Sequence, residues 1–360
     1  MKNEEIRYIL SRSAYVGFLG RQCVFSIGNR QEIFYNEEEY LPILKASAIW
    51  KEANTIKFVV DKLIKSGLTL EESVNATNFL IEKHHVVYDE SIKLERYSRH
   101  YLYYGGWSYS PNDVQEKISS SHVIILGCGG IGNHLAINLA TAGINKLTLI
   151  DDDLIELSNL TRQHMFTEDD VGLHKIDVLA REIKRRNKNV QINTIKKSIN
   201  SQSDLACLPK ADLIALSADY PDELASWVNL YAVKNKFPFI NIGYVGDIAV
   251  FGPFYIPNES GCFACNSNIV PDINPEHRNL HKYAEMINKG FQAPSFVAVN
   301  AMSSAMATND IIRYLGGSVK PLSTNKRVGI HSYELKIEYQ ECPVKYSREI
   351  NCKLVTITAQ

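Results

Sequence analysis

The stretch His122-Val123-Ile124-Ile125-Leu126-Gly127-Cys128-Gly129-Gly130-Ile131-Gly132-Asn133-His134 decides the fold. The run from His122 to Leu126 is short and apolar, which suits a strand buried on both faces in a parallel sheet. Glycines then mark a tight turn, and Leu135, Leu139 and Ala142 follow at helical spacing. Strand, glycine turn and helix in that order aim free backbone N–H groups and the positive helix end at a phosphate.

Working outward, Lys146 to Ile150 reads as the next strand, and Asp151 at its end is placed to accept hydrogen bonds from ribose hydroxyls. Lys175 to Arg186 reads as an amphipathic helix with a basic outer side. Leu213 to Ser217 and Phe239 to Ile242 read as further strands. The alternation predicts an α/β fold with a Rossmann-like, mostly parallel sheet covered by helices. Taken alone, Gly127, Gly129 and Gly132 also fit an NAD fingerprint. The downstream residues favour ATP. Arg162 and Lys175 add positive charge beside the turn, which a breaking triphosphate needs more than a pyrophosphate does. Asp219, after Ser217-Ala218, offers oxygen to Mg2+.

Residues 1–90 have another character. Short β-leaning stretches, Ala14 to Leu19, Gln22 to Ile27 and Glu32 to Tyr35, are separated by turns at Gly20 and at Gly28-Asn29. Ile56, Val59, Val60, Leu63 and Ile64 form one helix face, and Thr69-Leu70-Glu71-Glu72 reads as a capping box. A small sheet with a few helices predicts a winged-helix-like domain, with residues 91–360 forming the α/β domain. No helix here carries the basic face that DNA binding requires. A module of this build can instead clamp a leader peptide as an added strand.

The net charge of -1 over 360 residues argues against non-specific nucleic-acid or membrane binding. No apolar run is long enough to cross a bilayer, and the acidic start does not resemble a signal peptide. Seven scattered cysteines do not form a secreted disulfide framework, so a cytoplasmic location is expected.

The segment Gly127 to Lys175, with Asp151, Asn159, Arg162, Gln163 and Lys175 in register, resembles the adenylating domain of the E1-like superfamily that includes ThiF, MoeB and HesA. Within it, Arg96 to Arg99, Asn241 to Pro253 and Asn325 to Ile330 resemble the peptide-modifying branch of microcin C and pantocin A biosynthesis. The resemblance implies ATP-dependent adenylation of a carboxylate in a ribosomally made precursor peptide. Capture within the peptide would follow, either leaving AMP attached or closing a ring with loss of water. It implies that Gly127, Gly129, Gly130 and Gly132 form the nucleotide turn and that Asp151 binds ribose. Asn159, Arg162, Gln163 and Lys175 would contact phosphates, Asp219 would hold Mg2+, and Asp153 would lie near the reacting centre. Arg99 would reach the nucleotide of a second copy, which implies a homodimer. Activation of a sulfur-carrier protein is the rival activity. A nucleotide-sensing DNA-binding regulator is the rival outside catalysis.

Cys262-Phe263-Ala264-Cys265 has the spacing of half a zinc site. Relatives complete the site with a second CxxC. Here the remaining candidates are Cys342 and Cys352, which depart from that spacing. No cysteine lies between Cys265 and Cys342. A thioester carrier on that stretch is therefore not expected.

Overall fold

The computed structural model describes residues 6–90, 96–265, 283, 286–287, 289 and 294–341. It divides into two units, Met1–Lys117 with Gly316–Val319 and Ile118–Leu315 with Lys320–Gln360.

In the first unit, β1 (Arg7–Leu10) pairs antiparallel with β5 (Asn54–Thr55) and β6 (Val86–Tyr88). A second antiparallel sheet has the order β2 (Ala14–Leu19), β3 (Gln22–Ile27), β4 (Arg30–Phe34). Its turns need Gly20 and Gly28, whose φ values are +61° and +60°. Three helices complete the core, α1 (Glu37–Ile49), α2 (Ile56–Lys65) and α3 (Leu70–Glu82). Trp50, Phe25, Val59, Leu63 and Leu80 are fully buried in one cluster. The capping box forms: the Thr69 N–H donates to Glu72 Oε2 at 2.7 Å, and the Glu72 N–H to Thr69 Oγ1 at 3.2 Å.

This unit runs past residue 90, where the sequence places the boundary. It takes in α4 (Ser98–Gly105) and most of α5 (Pro111–Ser120). The extension is tied to the core by Tyr109. Its carbonyl accepts the Tyr88 N–H at 2.8 Å, its hydroxyl donates to the Ile81 carbonyl at 2.9 Å, and its ring meets Tyr8 edge-on.

The second unit is built on an eight-stranded sheet. Its parallel part has the order β11 (Phe239–Val245), β10 (Leu213–Leu216), β7 (His122–Leu126), β8 (Lys146–Ile150), β9 (Gln191–Ile195). Beyond β11 the sheet turns antiparallel through β12 (Ile248–Tyr255), β13 (Lys326–His331) and β14 (Ile337–Glu341). Every residue of β7 is buried. Ile124 and Leu126 share a cluster with Leu224 and Val228 of helix α8 (Leu224–Asn235), while Val123 and Ile125, of opposite parity, are also buried. Each such side chain contributes about 1.5–3 kcal/mol on leaving water. The other helices are α6 (Gly130–Ala142), α7 (Lys175–Arg186) and α9 (Val297–Gly316). No helix among the described residues is long and apolar enough to cross a membrane.

Candidate active site

The carboxyl ends of β7, β8 and β10 open into a cavity of about 440 Å³, the place where open α/β sheets bind ligands. Gly127, Gly129, Gly130, Asp151, Asp153, Arg162, Gln163, Lys175 and Asp219 all line it. Two expected residues, Gly132 and Asn159, do not; they hold the wall from behind.

The glycines divide by task. A Cβ on Gly132 would lie 2.0 Å from the Gly127 carbonyl oxygen, and one on Gly127 2.6 Å from the Ala218 nitrogen. Both positions exist to let backbone meet backbone. A Cβ on Gly129 would meet nothing nearer than Gln163 Nε2 at 3.8 Å, so its bareness leaves room for a ligand.

Asp151 ties the turn to the strand beside it. Its Oδ2 accepts the Cys128 N–H at 2.6 Å and its Oδ1 the Asp153 N–H at 2.8 Å. Burial pushes its carboxyl upward, against the pull of those hydrogen bonds and of Lys175. Cys128 is fully buried, and desolvation raises its thiol well above the usual range. That suits a space-filling side chain, not a nucleophile.

The two expected positive charges come from separate elements. Lys175 opens α7, and its Nζ lies 2.6 Å from Asp153 Oδ2. Arg162 follows the short turn Leu157–Thr161. Its Nη1 donates to the Ser158 carbonyl at 3.1 Å, and among the described residues it joins no salt bridge. Asn159 caps that turn by accepting the Glu156 N–H at 3.2 Å. Gln163 is buried with its Oε1 unpartnered among the described residues. Behind Arg162 stands His134 of α6, in edge-on contact with His164 at 4.1 Å and hydrogen-bonded to the Arg162 backbone. Asp219 is exposed at the cavity mouth after β10. Carboxylate oxygens here are the hard donors that Mg2+ takes alongside phosphate.

Several lining residues went unread in the sequence: Lys197 to Asn200 after β9, Tyr220, Tyr244, Ser295 and Asn300. Only a position after a strand end could have pointed to the first two groups. Asn300, one turn into α9, belongs to no motif.

Arg99 lies on α4 in the first unit, and its expected role concerns a second chain. Cys262 precedes and Cys265 closes the single helical turn Phe263–Cys265, with their sulfurs 3.6 Å apart. Two thiolates on one tetrahedral zinc, each at about 2.3 Å, would stand about 3.8 Å apart. The pair therefore fits half of such a site. Cys342 and Cys352 lie outside the described residues.

Comparison with known proteins agrees with this geometry. The ThiF family matches residues 97–354. The sulfur carrier protein ThiS adenylyltransferase of Escherichia coli K12 is 32% identical over 172 residues, covering 46% of this chain and 65% of that protein. The ubiquitin-like modifier-activating enzyme 5 of Drosophila mojavensis is 30% identical over 214 residues, 56% of this chain and 51% of that one. The chain thus spans less than two thirds of these relatives. Among solved structures, E. coli MccB with AMPCPP and MccA is 36% identical, covers 95% of this chain and 99% of that one, and superposes with a TM-score of 0.84. PaaA, at 20% identity, 92% and 98% coverage and a TM-score of 0.66, shares the fold.

Proposed function

Since the chain belongs to the ThiF family, we propose that it is an ATP-dependent adenylating enzyme acting on a carboxylate of a ribosomally made precursor peptide. The observation that carries this reading is the cavity in which Asp151, Arg162, Gln163, Lys175 and Asp219 surround the bare backbone of Gly129. A carboxylate oxygen attacks the α-phosphorus of ATP, the bond to the β-phosphate oxygen breaks, and pyrophosphate leaves. Arg162 and Lys175 stabilise the charge that accumulates on the phosphates, and the turn positions them. Asp219 would hold the Mg2+ that accompanies ATP, and the ion would supply further neutralisation. The acyl-adenylate is then captured within the peptide, with AMP retained or released.

The peptide reading is supported by the match to MccB over nearly the whole of both chains, in a structure that holds MccA. The first unit then serves as the leader clamp. β2 and β4 are the outer strands of its second sheet, and an incoming strand can pair with such an edge. Arg99 completes the nucleotide site of a second copy in a homodimer. Cys262 and Cys265 would hold a structural zinc, for which Cys342 and Cys352 are the candidate remaining ligands.

ATP–pyrophosphate exchange tests the reading. A panel of synthetic peptides patterned on MccA and ending in each of the twenty residues is supplied with MgATP, and products are weighed by mass spectrometry. Exchange that depends on a panel peptide supports it. Exchange only with a small protein ending in Gly-Gly favours sulfur-carrier activation, the reading that the ThiS adenylyltransferase match supports.

A further inference from the structure

A second carboxamide besides Gln163 lines the cavity. Asn300 is 1% exposed, its Nδ2 donates to Ser295 Oγ at 3.1 Å, and its Oδ1 is buried without a partner among the described residues. Its place is fixed. Ser304 Oγ lies 2.8 Å from the carbonyl oxygens of both Asn300 and Ile131, which staples this turn of α9 to the start of α6. A Cβ on Gly130 would come within 2.5 Å of Asn300 Nδ2 and 3.6 Å of Arg162 Cγ. The amide therefore sits over the helix end of the glycine turn, beside Arg162. The ribose acid Asp151 instead holds Cys128, at the strand end. On the reading above, Asn300 thus borders the part of the cavity that the phosphates and the reacting carboxylate would share.

Phosphate and carboxylate are acceptors only, and neither can satisfy an amide oxygen. A buried acceptor without a donor is costly, so its partner comes with the other substrate. We propose that Asn300 is a substrate-positioning residue whose Oδ1 accepts the backbone N–H of the peptide residue bearing the reacting carboxylate. That hydrogen bond fixes the carboxylate relative to the α-phosphorus. It also excludes proline, which has no N–H, from the reacting position. The inference rests on the peptide reading above.

The test uses the panel peptide that turns over best and its analogue N-methylated at the reacting residue. With the wild-type enzyme, methylation raises the peptide KM on the order of tenfold. Asn300→Ala raises the KM of the unmethylated peptide by a similar factor, and methylation then adds nothing. ATP affinity of the variant stays within about twofold, which also reports that it is folded. Equal KM values for the two peptides on the wild-type enzyme overturn the proposal, whether or not the variant folds. So does a methylation penalty that persists undiminished in Asn300→Ala. No turnover of any panel peptide by the wild type would instead overturn the peptide reading beneath it.

Discussion

Lys175 Nζ lies 2.6 Å from Asp153 Oδ2, and the two ends of this pair live in different surroundings: the lysine side chain is 8% exposed, the aspartate 68%. The Lys175 N–H also donates to the Asp153 carbonyl at 3.0 Å, so backbone and side chain are fixed together. The ammonium is thus held in place at the cavity wall. Lys175→Ala should lower the rate of ATP–pyrophosphate exchange about 10²–10³-fold, the scale of losing one preorganised charge-stabilising group. The remaining Asp153 is solvated, so the melting temperature should move by only a few degrees. Lys175→Arg should recover little, because a planar guanidinium does not replace a compact ammonium in a fitted site.

The glycines give a prediction with two opposite halves. At Gly132 a methyl group would overlap the Gly127 carbonyl, and Gly132→Ala should cost several degrees of melting temperature and most of the soluble yield. At Gly129 the protein leaves space. Gly129→Ala should melt within about 2 °C of wild type, yet bind ATP at least tenfold more weakly by calorimetry. If both variants bound ATP normally, the turn would not be the phosphate site.

Why these positions could be read from sequence, and others could not, has a physical cause. β7, β8 and α7 appear within the bounds that their patterns predict, because parallel strands buried on both faces are unbroken apolar runs and α7 has a clear amphipathic stripe. The antiparallel extension through β13 and β14 is different. The described part of β14 is mostly exposed, so burial writes no pattern into it. Asp151, Arg162 and Lys175 stand in one continuous stretch whose spacing is itself the signal. Asn300 reaches the same cavity from α9, which Ser304 links to α6, and a tertiary contact of that kind leaves no local trace. The later end of the first unit has the same origin, in the contacts of Tyr109.

Asp310 of α9 is fully buried, and burial pushes its carboxyl upward. Its oxygens accept the Leu322 N–H at 2.6 Å, the Ser323 N–H at 2.8 Å and the Ser323 hydroxyl at 2.6 Å. Asp310→Ala would strand these donors. It should destabilise the chain by about 2–4 kcal/mol in urea titration. Asp310→Asn, which keeps one acceptor oxygen, should cost less.

His134 and His85 are both held down to about 4 from 6.5, chiefly by burial. Each is neutral in the folded chain and must gain a proton to match the unfolded one. Their contribution is therefore fully present above pH 6.5 and is lost as pH falls towards 4. The melting temperature should decline by several degrees across that window. His134→Gln, which retains a donor for the Arg162 backbone, should make the decline shallower. A slope unchanged in this variant would remove His134 from the account.

The cysteine pair gives the sharpest test of a metal. Sulfurs at 3.6 Å are close to the spacing that two thiolates adopt on one zinc ion. Wild-type protein purified without chelator should carry about one zinc per chain by plasma emission spectroscopy. Cys262→Ser and Cys265→Ser should each lose most of it and melt several degrees lower, because metal binding to a folded site is folding free energy. Cys342→Ser and Cys352→Ser then decide how the site closes. Loss of zinc in both would place the full tetrahedron on four thiolates despite the altered spacing. Retention in both would leave the ion on two thiolates and other donors. Wild-type protein free of zinc after dialysis against the metal would make the Cys262–Cys265 turn a plain structural corner.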